Sequence, residues 1–277
     1  MFERRLPVGR IAALVAIAFG VWVVARDGAR VRWRTIEPGL DFATMRGDPY
    51  CRRGSAQVAV LRMDPARVRI AVRHYSREPE RQPLDVLGWR KRTRALAVFN
   101  AGQYYPDWSY MGLLVSGGTP VSRRVHPAFK AALVAEPARG APAARVLDLE
   151  DQPLDPASPG WGEVAQSFML FDREGNLRVR ASDRVANRTA VAEGRDGHLY
   201  AFTTEGGYTL RDFALWLRGS RLGLTHAMSM DGGAEAQLCV AGGGFRYATF
   251  GEWDGGDTAD AAGAQVPLPA VVVVTAR

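Results

Sequence analysis

An acid followed by two residues that lack a β-carbon, Asp231-Gly232-Gly233, closes the apolar run Leu222-Gly-Leu-Thr-His-Ala-Met-Ser-Met230. Adjacent glycines let the backbone turn sharply and let a ligand approach the main chain. A strand ending there presents one carboxylate at its tip with open space beside it, a geometry suited to catalysis. The same Asp-Gly pair is also a hairpin signal, so a catalytic reading needs partners from elsewhere. Asn100 offers one, because it too follows an apolar run, Ala95-Leu-Ala-Val-Phe99, and two polar residues can converge at neighbouring strand ends. Its amide could bond a sugar hydroxyl or orient a carboxylate, or simply serve a turn. Tyr104, Tyr105, Trp108 and Tyr110 come next, an aromatic cluster able to stack on sugar rings or to pack under a loop. Asp231, Asn100 and Glu235 together would suit Ca²⁺, although no spacing demands a metal. His226, within the apolar run, reads as a packed histidine.

The elements that must position these residues are mostly strands. Val31 to Ile36 alternates as a strand. Gln57–Arg62 and Arg67–Arg73 are apolar and β-branched and flank Met63-Asp-Pro-Ala66, the pattern of a hairpin. Pro83–Arg92 predicts a short helix leading into the strand before Asn100. Gly112–Ser116 and Thr119–Ser122 flank Gly117-Gly118 as a further hairpin, and Phe129–Val134 reads as a strand. Residues 135–162, rich in Pro, Ala and Gly, read as a loop or insertion. Two more hairpins are expected, Gln166–Phe171 with Leu177–Arg180 and Arg188–Ala192 with His198–Thr204. One amphipathic helix follows Thr209, with Leu210, Phe213, Leu215, Trp216 and Leu217 as its apolar stripe and Thr209 as N-cap. Ala227–Met230, Gln237–Val240 and Val271–Thr275 complete the strands. The expected class is α+β, with mixed, mostly antiparallel sheets and a few flanking helices over residues 31–277.

Charge and cysteine content narrow the setting. The formal net charge is +7 over 277 residues, but seven arginines lie within residues 1–34 against Glu3 and Asp27, so the remainder is nearly neutral. Nucleic-acid binding therefore has little support. Basic Arg4, Arg5 and Arg10 precede fifteen uncharged residues, Ile11 to Ala25. As a helix that run spans roughly 22 Å, short of a bilayer core of about 30 Å. Residues 1–30 thus read as a signal peptide, with Val23-Val24-Ala25 as a cleavage site, or as an uncleaved membrane anchor if Leu6 to Ala25 inserts together. The protein is expected to be exported, periplasmic or anchored facing outward. Cys51 and Cys239, the two cysteines, are compatible with one disulfide or with two separate buried thiols. No CxxC and no His/Cys pair at metal spacing is present, which argues against a structural zinc.

The order of the segments resembles the phosphodiester glycosidase family. The resemblance is carried by Phe99-Asn-Ala-Gly102 with Gly112-Leu-Leu-Val, by Arg188-Thr189-Ala190, by Tyr208-Thr-Leu210, by Ala227-Met-Ser-Met-Asp-Gly-Gly233 with Gln237-Leu238, and by the terminal Val266-Pro-Leu-Pro-Ala-Val-Val-Val273. It covers about residues 57–275. The sequence departs from the family's usual pattern around the acid: Ser229-Met230 precede it, and Ala234-Glu235-Ala236 stand where a hydroxyl is expected.

The resemblance implies a substrate whose anomeric carbon carries a phosphodiester. Such a leaving group is already a weak base, so what helps most is a cation that stabilises charge as the bond breaks. Arg188 is the expected phosphate ligand, since a guanidinium fork matches two phosphate oxygens. Asp231 is the expected carboxylate nucleophile or base, with Glu235 second. Glu205, which lies in Thr204-Glu-Gly-Gly207, is third. Thr189, Gly232, Gly233, Tyr104, Asn100 and Thr209 are the remaining expected substrate contacts, Thr209 through free amides at a helix N-terminus. A carbohydrate or glycosyl phosphate is the expected partner, with no obligatory cofactor. A non-catalytic saccharide-binding protein on the same fold is the alternative.

Overall fold

The computed structural model describes residues 31–141, 143–255 and 265–277; the export or anchor segment expected at residues 1–30 lies outside them. Among the described residues no helix is long and apolar enough to cross a membrane.

Strands β1 (Arg34–Glu37), β2 (Leu40–Arg46), β3 (Gln57–Met63), β11 (Met169–Phe171), β12 (Thr189–Gly194), β13 (Leu199–Thr204) and β14 (Leu224–Ser229) form a seven-stranded sheet in the order β1-β2-β3-β13-β12-β14-β11. A five-stranded sheet, β7-β6-β10-β8-β9, contains β6 (Leu114–Ser116), β7 (Thr119–Ser122), β8 (Ala131–Pro137), β9 (Ala144–Asp148) and β10 (Trp161–Ser167). The third sheet, β16-β15-β5-β17-β4, contains β4 (Val68–His74), β5 (Ala97–Asn100), β15 (Leu238–Gly242), β16 (Phe245–Thr249) and β17 (Ala270–Ala276). Each ladder between these named strands is antiparallel.

Why the strands read as continuous apolar runs follows from what covers each face. Side chains alternate across a strand. On β3, Ala59, Leu61 and Met63 enter a core shared by all three sheets, whereas Val58 and Val60 face helix α2 (Leu210–Gly219). On β17, Val272 and Val274 enter the shared core, whereas Val271 and Val273 pack with Trp89 of helix α1 (Val86–Thr93). The outer face of the remaining sheet, with Val115, Val134 and Val164, is covered by Leu149, Leu154 and Trp161. Both helices have side-chain caps. Asp85 accepts the Gly88 N–H at 2.7 Å, and Thr209 accepts the Asp212 N–H at 3.0 Å. In α2, Phe213 stacks on Trp216 with ring centroids 5.8 Å apart. Of the predicted stripe Phe213, Trp216 and Leu217 are buried and Leu210 packs beside them, whereas Leu215 stays outside that cluster and Ala214 is buried instead.

Three expectations are corrected. β3 and β4 do not pair as a hairpin: β3 lies between β2 and β13, and β4 pairs with β17 in another sheet. Asp64 turns the chain by accepting backbone N–H groups of Ala66, Arg67 and Val68, and this turn carries it across the shared core instead of back along the same sheet. The Pro/Ala/Gly-rich stretch is no insertion, because β9 lies within it and β8 and β10 reach into its ends. The segment after the turn at Asp172 pairs only through the single bridge Phe171–Leu177. Of the two cysteine alternatives the structure holds separate thiols: Cys239 is buried against α1 with its Sγ 3.2 Å from the Val86 carbonyl, and the Cys51 Sγ lies 3.2 Å from the Arg53 carbonyl.

Candidate active site

Two sheets meet where β14 ends. The Met230 N–H donates to the Thr189 carbonyl at 2.8 Å, and the Asp231 N–H donates to the Ala101 carbonyl at 3.0 Å. The backbone of the acid is thereby held between the start of β12 and the end of β5. Asn100, 1% exposed, lies beneath it. Its Nδ2 donates to the Asp231 carbonyl at 2.9 Å and to the Ala101 carbonyl at 3.2 Å, and its Oδ1 accepts the Gln237 N–H at 3.3 Å. With its amide committed to the backbone, Asn100 positions Asp231 and does not reach into the cleft. For the same reason Asp231, Asn100 and Glu235 do not converge as a Ca²⁺ cage, and no group of three His, Cys, Asp or Glu side chains placed to hold a metal ion occurs among the described residues. Gln103 adds a second clamp, donating to the Met230 carbonyl at 3.1 Å while its Oε1 accepts from Ser167 at 2.9 Å.

The Asp231 carboxylate accepts the Gly232 N–H at 2.9 Å. Burial, reinforced by the like charges of Glu235 and Asp254, pushes its pKa up to about 7; the Gly232 N–H and Arg184 oppose this without cancelling it. Glu235 ends a short 3₁₀ turn, Gly233–Glu235. It accepts the Tyr104 hydroxyl at 2.9 Å, and burial together with this carboxylate raises the Tyr104 phenol.

Arg188 stands immediately before β12. Its Nε donates to the Tyr208 carbonyl at 2.9 Å and its Nη2 to the Arg184 carbonyl at 2.8 Å. These two bonds fix the plane of the guanidinium. Burial, with repulsion from Arg184, brings its pKa down to about 10, so it stays cationic at neutral pH. Asn187, fully buried, ties the neighbourhood together. Its carbonyl accepts the Gly233 N–H at 3.0 Å, its Oδ1 accepts the N–H groups of Glu252 and Trp253 at 2.9 and 2.7 Å, and its Nδ2 donates to the Thr204 carbonyl at 2.7 Å. Gly233 must be glycine: its φ is +73°, and an added Cβ would come within 2.3 Å of Asp254 Oδ1. Asp254 in turn forms an ion pair with Arg184 at 2.6 Å.

A cleft of about 210 Å³ opens between these groups, with Asp231, Gly232, Arg188, Arg184, Gln103 and Phe168 among its walls. At roughly 30 Å³ per water it has the bulk of about seven waters, room for one pyranose ring. A larger cavity of about 600 Å³ adjoins it, sharing Phe168, Arg184, Arg188 and Leu210.

The structure therefore brings together Asp231, Gly232, Gly233 and Arg188 of the expected residues, with Glu235 and Tyr104 joined beside them. Thr209 caps α2, whose first residue Leu210 borders both cavities. Thr189 is buried, its Oγ1 3.4 Å from that of Thr203, and does not line the cleft. Glu205 is not brought to Asp231: its carboxylate accepts from Ser55, Gln57 and Tyr247 at 2.9, 2.5 and 2.6 Å. It binds strand edges together. Residues the sequence reading passed over are Asn187, Arg184, Asp254, Gln103 and Phe168. Only Asn187 carried a signal, as an amide directly preceding Arg188 at a strand start.

The sequence profile of the phosphodiester glycosidase family matches residues 93–275, and the chain belongs to that family. Among solved structures it resembles the catalytic domain of zebrafish N-acetylglucosamine-1-phosphodiester alpha-N-acetylglucosaminidase, auto-inhibited by its pro-peptide, at 16% identity and a TM-score of 0.62, covering 92% of this chain and 91% of that one. A hypothetical protein from Synechocystis is similar at 13% identity and a TM-score of 0.60, covering 91% of this chain and 64% of that one. At these identities the likeness is one of fold. No curated protein matches by sequence.

Proposed function

We propose that the protein hydrolyses a glycosyl 1-phosphodiester, with Asp231 as the carboxylate that acts at the anomeric carbon and Arg188 as the ligand of the departing phosphate. The observation that carries this reading is the pairing, across one cleft, of a buried acid titrating near 7 with a rigidly held guanidinium. An acid whose pKa lies close to neutrality accepts a proton from attacking water at little thermodynamic cost and releases it afterwards. The leaving phosphate is a weak base, so electrostatic stabilisation by Arg188 replaces protonation by a strong acid. Glu235, held by Tyr104, keeps Asp231 basic through like-charge repulsion.

Water adds to the anomeric carbon, the C1–O bond breaks, and the bridging oxygen leaves with the phosphate. The products are a reducing sugar and the phosphomonoester of the aglycone. The basic, then uncharged, start of the chain supports action outside the cytoplasm. Turnover of a panel of sugar 1-phosphodiesters by wild type, Asp231→Asn and Arg188→Ala tests the assignment; unchanged turnover in folded variants refutes it. Glycan binding by calorimetry with no reducing sugar released would select the saccharide-binding alternative.

A further inference from the structure

The larger cavity is lined by four arginines, Arg178, Arg180, Arg184 and Arg188, against an apolar wall of Phe168, Val179 and Leu210. Their charges are not equally compensated. Arg178 is surrounded by Asp148, Glu150 and Asp172, and Arg184 pairs with Asp254. Arg188 hydrogen-bonds carbonyl groups through its side chain and feels the charges of Asp254 and Asp231. Arg180 has no carboxylate partner among the described residues. Arg180 thus faces the cavity without a carboxylate of its own, while the proposed reaction uses only Arg188 for the phosphate that leaves.

We infer that this cavity receives the aglycone, and that the aglycone carries a second phosphate, which Arg180 binds. The inference rests on the proposed reaction for its direction: the sugar lies in the smaller cleft at Asp231, the scissile phosphate at Arg188, and the rest of the molecule in the cavity beyond. A short polyol linking two phosphates matches that order, its carbon skeleton against Phe168, Val179 and Leu210 and its distal phosphate on Arg180. Guanidinium–phosphate contacts are charge-assisted and directional, so the second phosphate sets specificity as well as affinity. The substrate class is then a glycosyl phosphate attached to a phosphorylated polyol, as in a chain built of sugar and polyol phosphates.

The test uses the full chain and two product-like probes, glycerol 1-phosphate and glycerol 1,3-bisphosphate, titrated by calorimetry at about 0.15 M salt, where surface charges are screened beyond roughly 8 Å. Wild type is expected to bind the bisphosphate at least tenfold more tightly. Arg180→Ala should bring that preference below about threefold, and Arg139→Ala, at the exposed β8–β9 turn, should leave it intact. In parallel, kcat/KM is measured for matched sugar phosphodiesters with and without the distal phosphate, and only the former should lose rate in Arg180→Ala. Equal binding of the two probes, or a preference that survives Arg180→Ala, overturns the inference even where both diesters are hydrolysed. Absence of turnover with the Arg180-dependent preference intact refutes the reaction and leaves the anion site standing.

Discussion

Gly232 lies against the backbone of Asn187: a Cβ on the glycine would come within 2.7 Å of the Asn187 carbonyl oxygen and into contact, at 3.4 Å, with the Arg188 Nη1. The φ of Gly232 is −128°, so the requirement is one of space and not of backbone conformation. The glycine lets the acid-bearing loop lie against the strand that carries the guanidinium. Gly232→Ala must push these two apart. A displacement near 1 Å at a reacting centre costs on the order of 10²-fold in rate. Steady-state kinetics should show that loss, with circular dichroism unchanged.

The burial that raises the pKa of Asp231 makes stability depend on pH. Its carboxyl holds a proton up to about 7 in the folded protein, but only up to about 3.9 when unfolded. The folded state therefore binds more protons between those values, and stability falls as pH rises through the window. Asp231→Asn, which cannot ionise, should match wild type below pH 4 and exceed it at pH 8 by on the order of 4 kcal/mol, roughly 8–16 °C in Tm for a domain of this size. In wild type, kcat/KM should climb with pH to a plateau above about 7 as Asp231 ionises. Melting curves and rate profiles at several pH values check both.

Asn187 is a buried hub joining β12, the glycine turn and the 252–253 segment. Asn187→Ala leaves two N–H groups and one carbonyl without their partner, at about 1–3 kcal/mol for each group left unsatisfied. The expected loss is about 3 kcal/mol or more in denaturant unfolding, accompanied by loss of activity.

How much of this was legible in the sequence depends on the range of the interactions. Asp231 stands out because it ends an apolar run before two glycines, whereas Arg188 is singled out only through the family resemblance. Glu205 shows the same signal, an acid between a strand and two glycines, yet its side chain meets Gln57 and Tyr247. That outcome is set by β3–β13 register and by β16, which the sequence reading did not place. Asn187 depends on partners 65 residues away, beyond any local pattern. The β3–β4 turn looked like a hairpin because turn chemistry is local, while the choice of partner strand is made by the shared core.

Glu205 gives a complementary prediction. Glu205→Ala removes an acceptor from Ser55, Gln57 and Tyr247 and should lower stability by about 1–3 kcal/mol. It should change kcat by less than about threefold, the mark of a residue outside the reacting centre. A loss of kcat comparable to that of Asp231→Asn, at unchanged stability, would return Glu205 to the catalytic set.

Hydrolysis of a sugar 1-phosphodiester in ¹⁸O-labelled water tests the central claim most directly. Attack at the anomeric carbon places the label on the sugar hydroxyl and none on the phosphomonoester, and Asp231→Asn should release neither product at a measurable rate. Label found in the phosphate, or undiminished turnover by the Asn variant, would contradict the assignment of Asp231 to chemistry at the anomeric carbon.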